Sequence, residues 1–328
     1  MKILVYLEKS DVRGGIEIFA ERHVARLRAE GHEVEVVDCF SEKRMTAGDF
    51  DEVVVHKCSD VATLEKLPPE KTVYYVHDHE PICPRTYAYT PLKRNCSCAG
   101  GLWPCLFCAP LCRNWKSALK RVFAQKRRIA AMGRFKKLVV ISEFMKSRLV
   151  ANGLSAETIS VEPPVLDGLG AEAERRGDGE GSAPPRLCVE KIDLLFVGQL
   201  IRGKGVQLLL AAMSRMKTPR TLDVVGTGNM EPKLKALAVQ LGLGGRVRFN
   251  GFQTNPRDWM RAARCVVVPS FWQEPYGLVA AEAVALGRPV VAFAIGGLPE
   301  ACGGKATLVP PGDVAALAKA LDDNCEGA

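Results

Sequence analysis

Twice along this chain, short β-rich apolar runs alternate with stretches of helical periodicity, and this limits the possible folds more than any other feature. Such alternation is the signature of parallel strands joined by crossover helices that cover both faces of one sheet. The first series opens with Lys2–Leu7 and breaks at Arg13-Gly14-Gly15. Ile16, Phe19, Ala20, Val24 and Leu27 then recur at helical spacing, and Gly31 fits the left-handed position that ends such a helix. Apolar runs follow at 33–37, 52–55, 72–76 and 137–141. Periodicity disappears over residues 166–190, which are rich in Gly, Ala, Glu, Arg and Pro. The alternation then restarts, with strands expected at 193–197, 222–225, 247–249, 265–268 and 289–293. Helices are expected at 206–216, 232–241 and about 278–286, and again at 314–321.

The expected fold is therefore α/β, with two Rossmann-like doubly wound domains facing each other across a cleft. Their expected bounds are residues 1–165 and 191–328, joined by a linker at 166–190, and 328 residues suit two such domains. In sheets of this kind ligands bind at the carboxyl ends of the strands, so functional residues are sought there.

Composition removes several classes. With 7% aromatic residues the chain offers few stacking platforms for single-stranded nucleic acid. No apolar run approaches the roughly 20 residues of a membrane-spanning helix. The first apolar stretch is too short for a signal-peptide core, so a cytoplasmic location is expected. A net charge of +8 suits an anionic partner: a nucleotide, a phospholipid surface or nucleic acid.

Two segments carry the candidate chemistry. In Glu274-Pro275-Tyr276-Gly277-Leu278-Val279-Ala280-Ala281-Glu282, proline and glycine mark a tight turn feeding a helix. The first N–H groups of that helix, near Gly277, Leu278 and Val279, form an anion site suited to a diphosphate. Glu274 precedes the helix and Glu282 lies two turns into it, so each carboxylate can accept hydrogen bonds from hydroxyls. Two glutamates at this spacing are otherwise an ordinary solvated pair. In Phe196-Val197-Gly198-Gln199-Leu200-Ile201-Arg202-Gly203-Lys204-Gly205-Val206, a strand runs into a basic glycine loop and then a helix. Cations there could neutralise charge building on a departing diphosphate. The plainer reading is a strand–helix loop with exposed basic residues.

Taken together, the motifs resemble glycosyltransferase family 4, the retaining transferases of GT-B fold. The resemblance runs along nearly the whole chain, from Gly14-Gly15-Ile16-Glu17 through Val76-His77-Asp78 and Ile141-Ser142-Glu143 to the 198–205 loop. It continues with Val225-Gly226-Thr227-Gly228, Phe249-Asn250-Gly251-Phe252, the Glu274/Glu282 motif, Gly296-Gly297-Leu298-Pro299-Glu300 and Val309-Pro310-Pro311-Gly312-Asp313. It implies a UDP- or GDP-type nucleotide-sugar donor, an acceptor hydroxyl and no catalytic metal. No Asp-x-Asp metal motif is expected in the chain, so magnesium is not required.

By the same resemblance Lys204 meets the donor diphosphate with Arg202 as neighbour, Glu282 holds the ribose and Glu274 the sugar hydroxyls. Gly226 and Phe249 line the base, Gly14 and Gly15 allow close approach to phosphates, and His77 sits near the transferred sugar. His56 is read as structural. Gln199 departs from the family's usual arginine. Family members also continue through a helix that returns to the N-terminal domain, so the resemblance implies a shortened chain or two loosely tied domains here.

Twelve cysteines are many for a reducing compartment. Cys96, Cys98, Cys105 and Cys108 have spacings that suit one structural zinc, with Cys83 and Cys112 as substitutes, inside an insertion at about 81–115. An iron–sulfur cluster, or unconnected thiols, are the alternatives. Residues 115–137 form a basic, helical stretch that reads either as a solvated helix face or as a surface for anionic lipid at the inner membrane face. Competing functions are a nucleotide-sugar epimerase of similar fold and a metal-stabilised nucleic-acid-binding protein; the Glu274/Glu282 motif disfavours the first.

Overall fold

The computed structural model describes residues 1–8, 15–40, 49–84, 96, 105, 115–166 and 192–325. It divides into two compact units, Met1–Pro164 and Val165–Ala328.

The N-terminal unit is a six-stranded parallel sheet. Its strands are β1 (Lys2–Leu7), β2 (Glu33–Val37), β3 (Glu52–Lys57), β4 (Thr72–Val76), β5 (Lys137–Val140) and β6 (Ile159–Val161). Their spatial order is β2-β1-β3-β4-β5-β6. The helices are α1 (Gly15–Ala29), α2 (Val61–Lys66), α3 (Trp115–Met132) and α4 (Glu143–Ala151). Ile3 and Val5 of β1 meet Val24 and Leu27 of α1, with Val54, Val73 and Val139 from neighbouring strands completing that layer. Gly31 has φ 85°, the left-handed conformation expected after α1. Asp60 caps α2 through the Ala62 and Thr63 N–H groups, and Ser142 caps α4 through Met145 N.

The C-terminal unit repeats the plan with β7 (Ile192–Val197), β8 (Leu222–Val225), β9 (Val247–Phe249), β10 (Ala263–Val268), β11 (Val290–Phe293) and β12 (Thr307–Val309). The parallel order is β12-β11-β10-β7-β8-β9. Its helices are α5 (Val206–Met213), α6 (Glu231–Gln240), α7 (Pro256–Ala262), α8 (Leu278–Ala285), α9 (Leu298–Cys302) and α10 (Val314–Cys325). Along β7, Leu194 and Phe196 enter one core layer while Ile192 and Leu195 enter the other. A strand buried on both faces reads as a continuous apolar run, which is why β7 and β10 stood out in the sequence. The strands β6 and β12 are not expected from the sequence, whereas β9, also of three residues, is.

Candidate active site

In a doubly wound sheet the loops diverge where the strand order reverses, and that point is the usual ligand crevice. In the C-terminal unit the reversal falls between β7 and β10, so the loop after β7 and the turn after β10 lie side by side. These loops carry the two segments singled out in the sequence.

The approach of the loops is close. Gly205 has φ +77°, and a Cβ there would stand 1.8 Å from the Pro269 carbonyl oxygen, so only glycine fits. Phe271 N donates to Gly203 O at 3.1 Å. Lys204 thus reaches Glu274: its Nζ lies 2.7 Å from Oε1, and Ser270 Oγ (2.7 Å) and Trp272 Nε1 (2.8 Å) donate to the same oxygen. Lys204 Nζ also stands 5.2 Å from the Trp272 ring centroid, a cation–π distance. Burial alone would raise the Glu274 pKa, but Lys204 and the donated bonds outweigh it and hold the carboxyl below its usual range. Buried Glu274 is therefore an ionised carboxylate with Oε1 saturated.

Gly277 has φ +116°, which turns the chain into α8 with Leu278 at the first helical position. Glu282, on α8, accepts from Arg257 of α7, whose NH2 lies 2.9 Å and Nε 3.3 Å from Oε1. Arg202 and Gln199 are exposed in the same loop. At the end of β8, Gly226 N donates to Gly251 O at 2.7 Å, which ties the Gly226 turn to the segment after β9. Buried Asp223 steadies that segment by accepting from Asn250 Nδ2 at 2.8 Å and from Arg248. Phe249 packs under Lys235, and Phe252 is 72% exposed.

The N-terminal unit places His77 just after β4, within a chain of imidazoles. His23 Nδ1 stands 2.9 Å from His56 Nε2, and His56 Nδ1 stands 3.1 Å from His77 Nε2. Burial lowers all three pKa values, His77 to about 3 and His23 to about 4, so the rings are neutral at pH 7. Next in sequence, Asp78 is raised to about 6, also by burial.

Several sequence expectations change here. His56 is indeed buried, yet it is the hydrogen-bonded link to His77 and more than packing. Ser270 and Trp272 were missed although they sit four and two residues before Glu274. Arg257, 25 residues from Glu282, has no sequence signal at all. The chain does contain one Asp-x-Asp spacing, Asp49-Phe50-Asp51. Asp51 accepts the Lys2 N–H at 2.7 Å and Phe50 is buried, so Asp51 anchors β1 beside β3. The basic stretch is also divided: Arg128 is buried against the Ser59 and Glu80 carbonyls and Arg127 pairs with Glu65, while Lys116, Lys120, Arg121 and Phe123 are exposed. Gly15 begins α1, and Gly14 lies outside the described residues.

Cys105 is buried and Cys83 and Cys96 are half-buried, whereas Cys98, Cys108 and Cys112 lie outside the described residues. Among the described residues no group of three or more His, Cys, Asp or Glu side chains gathers as a metal site. No described helix is long and apolar enough to cross a membrane.

Residues 191–326 match the family model described as Glycosyl transferases group 1. A D-inositol 3-phosphate glycosyltransferase of Streptomyces scabiei is 37% identical over 177 residues, which is 48% of this chain and 40% of the relative. The match thus spans less than half the length of that relative. Among solved structures, Anabaena Alr3699/HepE in complex with UDP and glucose has a TM-score of 0.68 at 20% identity, covering 100% of this chain and 90% of that one. A glycosyltransferase from Rickettsia africae has a TM-score of 0.69 at 16% identity, covering 99% and 88%. These likenesses show the fold, two parallel α/β sheets of GT-B type.

Proposed function

We propose that this chain is a glycosyltransferase of the family 4 type, transferring a sugar from a nucleoside-diphosphate donor to an acceptor hydroxyl with retention of anomeric configuration. The observation that carries this reading is the meeting of Lys204 and Glu274 at the switch point of the C-terminal sheet. A cation and a carboxylate brought there by two loops suit a ligand that is anionic at one end and rich in hydroxyls at the other. The Anabaena structure, solved with UDP and glucose, supports a UDP-sugar as the first donor to test.

In this reading Lys204 turns from Glu274 toward the diphosphate, aided by exposed Arg202 and the N–H groups at the start of α8. Glu274, its Oε1 held by Ser270 and Trp272, accepts from sugar hydroxyls. Glu282 accepts from the ribose hydroxyls, and Gly226 and Phe249 border the base. Gly14 and Gly15 give the phosphates close backbone approach, and His77 serves hydroxyl recognition of the transferred sugar. The bond from the anomeric carbon to the diphosphate oxygen breaks as the acceptor oxygen bonds that carbon on the same face. The acceptor proton passes to the leaving phosphate oxygen. No side chain acts as a nucleophile, and the protein positions groups and stabilises charge.

Retention is tested by following the first-formed anomer of sugar released during slow donor hydrolysis. The donor's own anomer is expected, and the opposite one would overturn the retaining assignment. Two accessory assignments complete the proposal: a structural zinc held by Cys96, Cys98, Cys105 and Cys108, and an anionic lipid partner for the exposed Lys116, Lys120, Arg121 and Phe123 of α3. Metal analysis under reducing conditions should find about one zinc per chain. Co-sedimentation should require anionic vesicles. Metal-free folded protein, or equal binding to neutral vesicles, would remove each in turn.

A further inference from the structure

A neutral imidazole carries one N–H and one bare nitrogen, so it donates from one side and accepts at the other. His56 sits mid-chain and uses both of its nitrogens, toward His23 Nδ1 and toward His77 Nε2. Only two proton arrangements satisfy both contacts. In one, every ring is protonated on Nδ1: His23 donates to His56, which donates to His77, and His77 presents Nδ1–H outward. In the other, every ring is protonated on Nε2: His77 donates to His56, which donates to His23, and His77 presents a bare Nδ1. Any mixed arrangement sets two protons or two lone pairs face to face.

We propose that His56 and His23 are positioning residues for His77, forcing the three rings into one shared tautomer and so fixing whether His77 Nδ1 offers a hydroxyl a donor or an acceptor. The role of that hydroxyl as part of the transferred sugar rests on the function proposed above. The shared tautomer does not depend on it.

The surroundings hold the chain together. Phe19 meets the His77 ring edge-on at 4.9 Å and the His56 ring at 5.8 Å, and Tyr75 lies 4.7 Å from His56 and 4.9 Å from His23. Rings packed this closely cannot flip singly to relieve a mismatch. Burial keeps the rings neutral near pH 7, which the two-arrangement rule requires. His56 and His77 also line a small cavity with Asp78 and Arg128. The two termini are coupled in opposite senses: when His77 Nδ1 donates, His23 Nε2 must accept.

With five histidines in the chain, ring-15N labelling gives a spectrum that can be assigned by substitution. Long-range proton–nitrogen spectra at pH 7.5 should show His23, His56 and His77 in the same tautomer. In His56→Gln the amide can donate or accept toward either neighbour, so His77 should move from a single-tautomer pattern toward an averaged one. Different tautomers among the three wild-type rings, or an unchanged His77 in the variant, would overturn the proposal. Should His56→Gln fail to fold, the wild-type spectrum decides alone, since shared or mixed tautomers are read there directly. A His77→Ala variant with unchanged donor turnover would remove the sugar contact while leaving the shared tautomer standing.

Discussion

Beside the switch point of the N-terminal sheet three neutral histidines are hydrogen-bonded in a row; at that of the C-terminal sheet stand two ion pairs, Lys204–Glu274, with its carboxylate buried, and the part-exposed Arg257–Glu282. The same strand–helix plan has been given opposite electrostatics. Burial dominates at the first, pushing every imidazole toward its uncharged form. At the second, burial of Glu274 is outweighed by a cation and two neutral donors. Neutral rings suit hydroxyls, whose hydrogen bonds need direction more than charge. Fixed charges suit a diphosphate, whose departure concentrates charge in one place.

The largest expected effect separates the units by pH. A histidine with a lowered folded pKa binds fewer protons folded than unfolded, so its contribution is intact above about 6.5 and is lost as pH falls toward 4. From pH 7 to pH 5 His23 and His77 should each cost about 2 kcal/mol of stability, and His56, also lowered by burial, adds a loss of the same sign. Asp78, raised to about 6, works in the opposite sense and should return about 1 kcal/mol over that interval. Denaturant titrations at the two pH values should therefore show a net loss carried by the N-terminal unit, and His23→Gln should shrink it. A pH-independent midpoint would mean the rings are not held neutral.

Next in size is Glu282→Gln, which should weaken donor binding by about 1.5–3 kcal/mol through loss of charged hydrogen bonds to ribose. Arg257→Gln should weaken it less, because the carboxylate survives but is no longer held. Calorimetric titration with UDP ranks the two, and equal effects would mean that Arg257 contacts the ligand itself. The smallest change is expected from Gln199→Arg, which adds a cation to a loop already holding Arg202 and Lys204. Diphosphate affinity should rise or stay level, and a large loss would reveal a ligand contact made by Gln199.

Much of this was legible in the sequence because it is written in neighbouring residues. The apolar runs of β7 and β10, Gly31 after α1, and the glycine and proline turns each report a local backbone need. What stayed hidden depends on which strands lie side by side. Arg257 meets Glu282 because α7 packs beside α8, and His23 meets His56 because α1 covers β3. Neither partnership has a sequence interval that announces it. Trp272 is the intermediate case: it stands two residues before the recognised motif, but its indole N–H could be assigned to Glu274 only once the turn was built.

The central claim is that Glu274 and Lys204 work on a nucleotide-sugar, and the most direct measurement is nucleoside-diphosphate release from UDP- and GDP-sugars by purified protein, wild type beside Glu274→Gln. Wild type should release the diphosphate slowly from at least one donor. The variant, deprived of a charged acceptor for sugar hydroxyls, should be slower by a factor on the order of 10 to 100. Absence of release and of binding across the donors, or equal rates in the two proteins, would contradict the account.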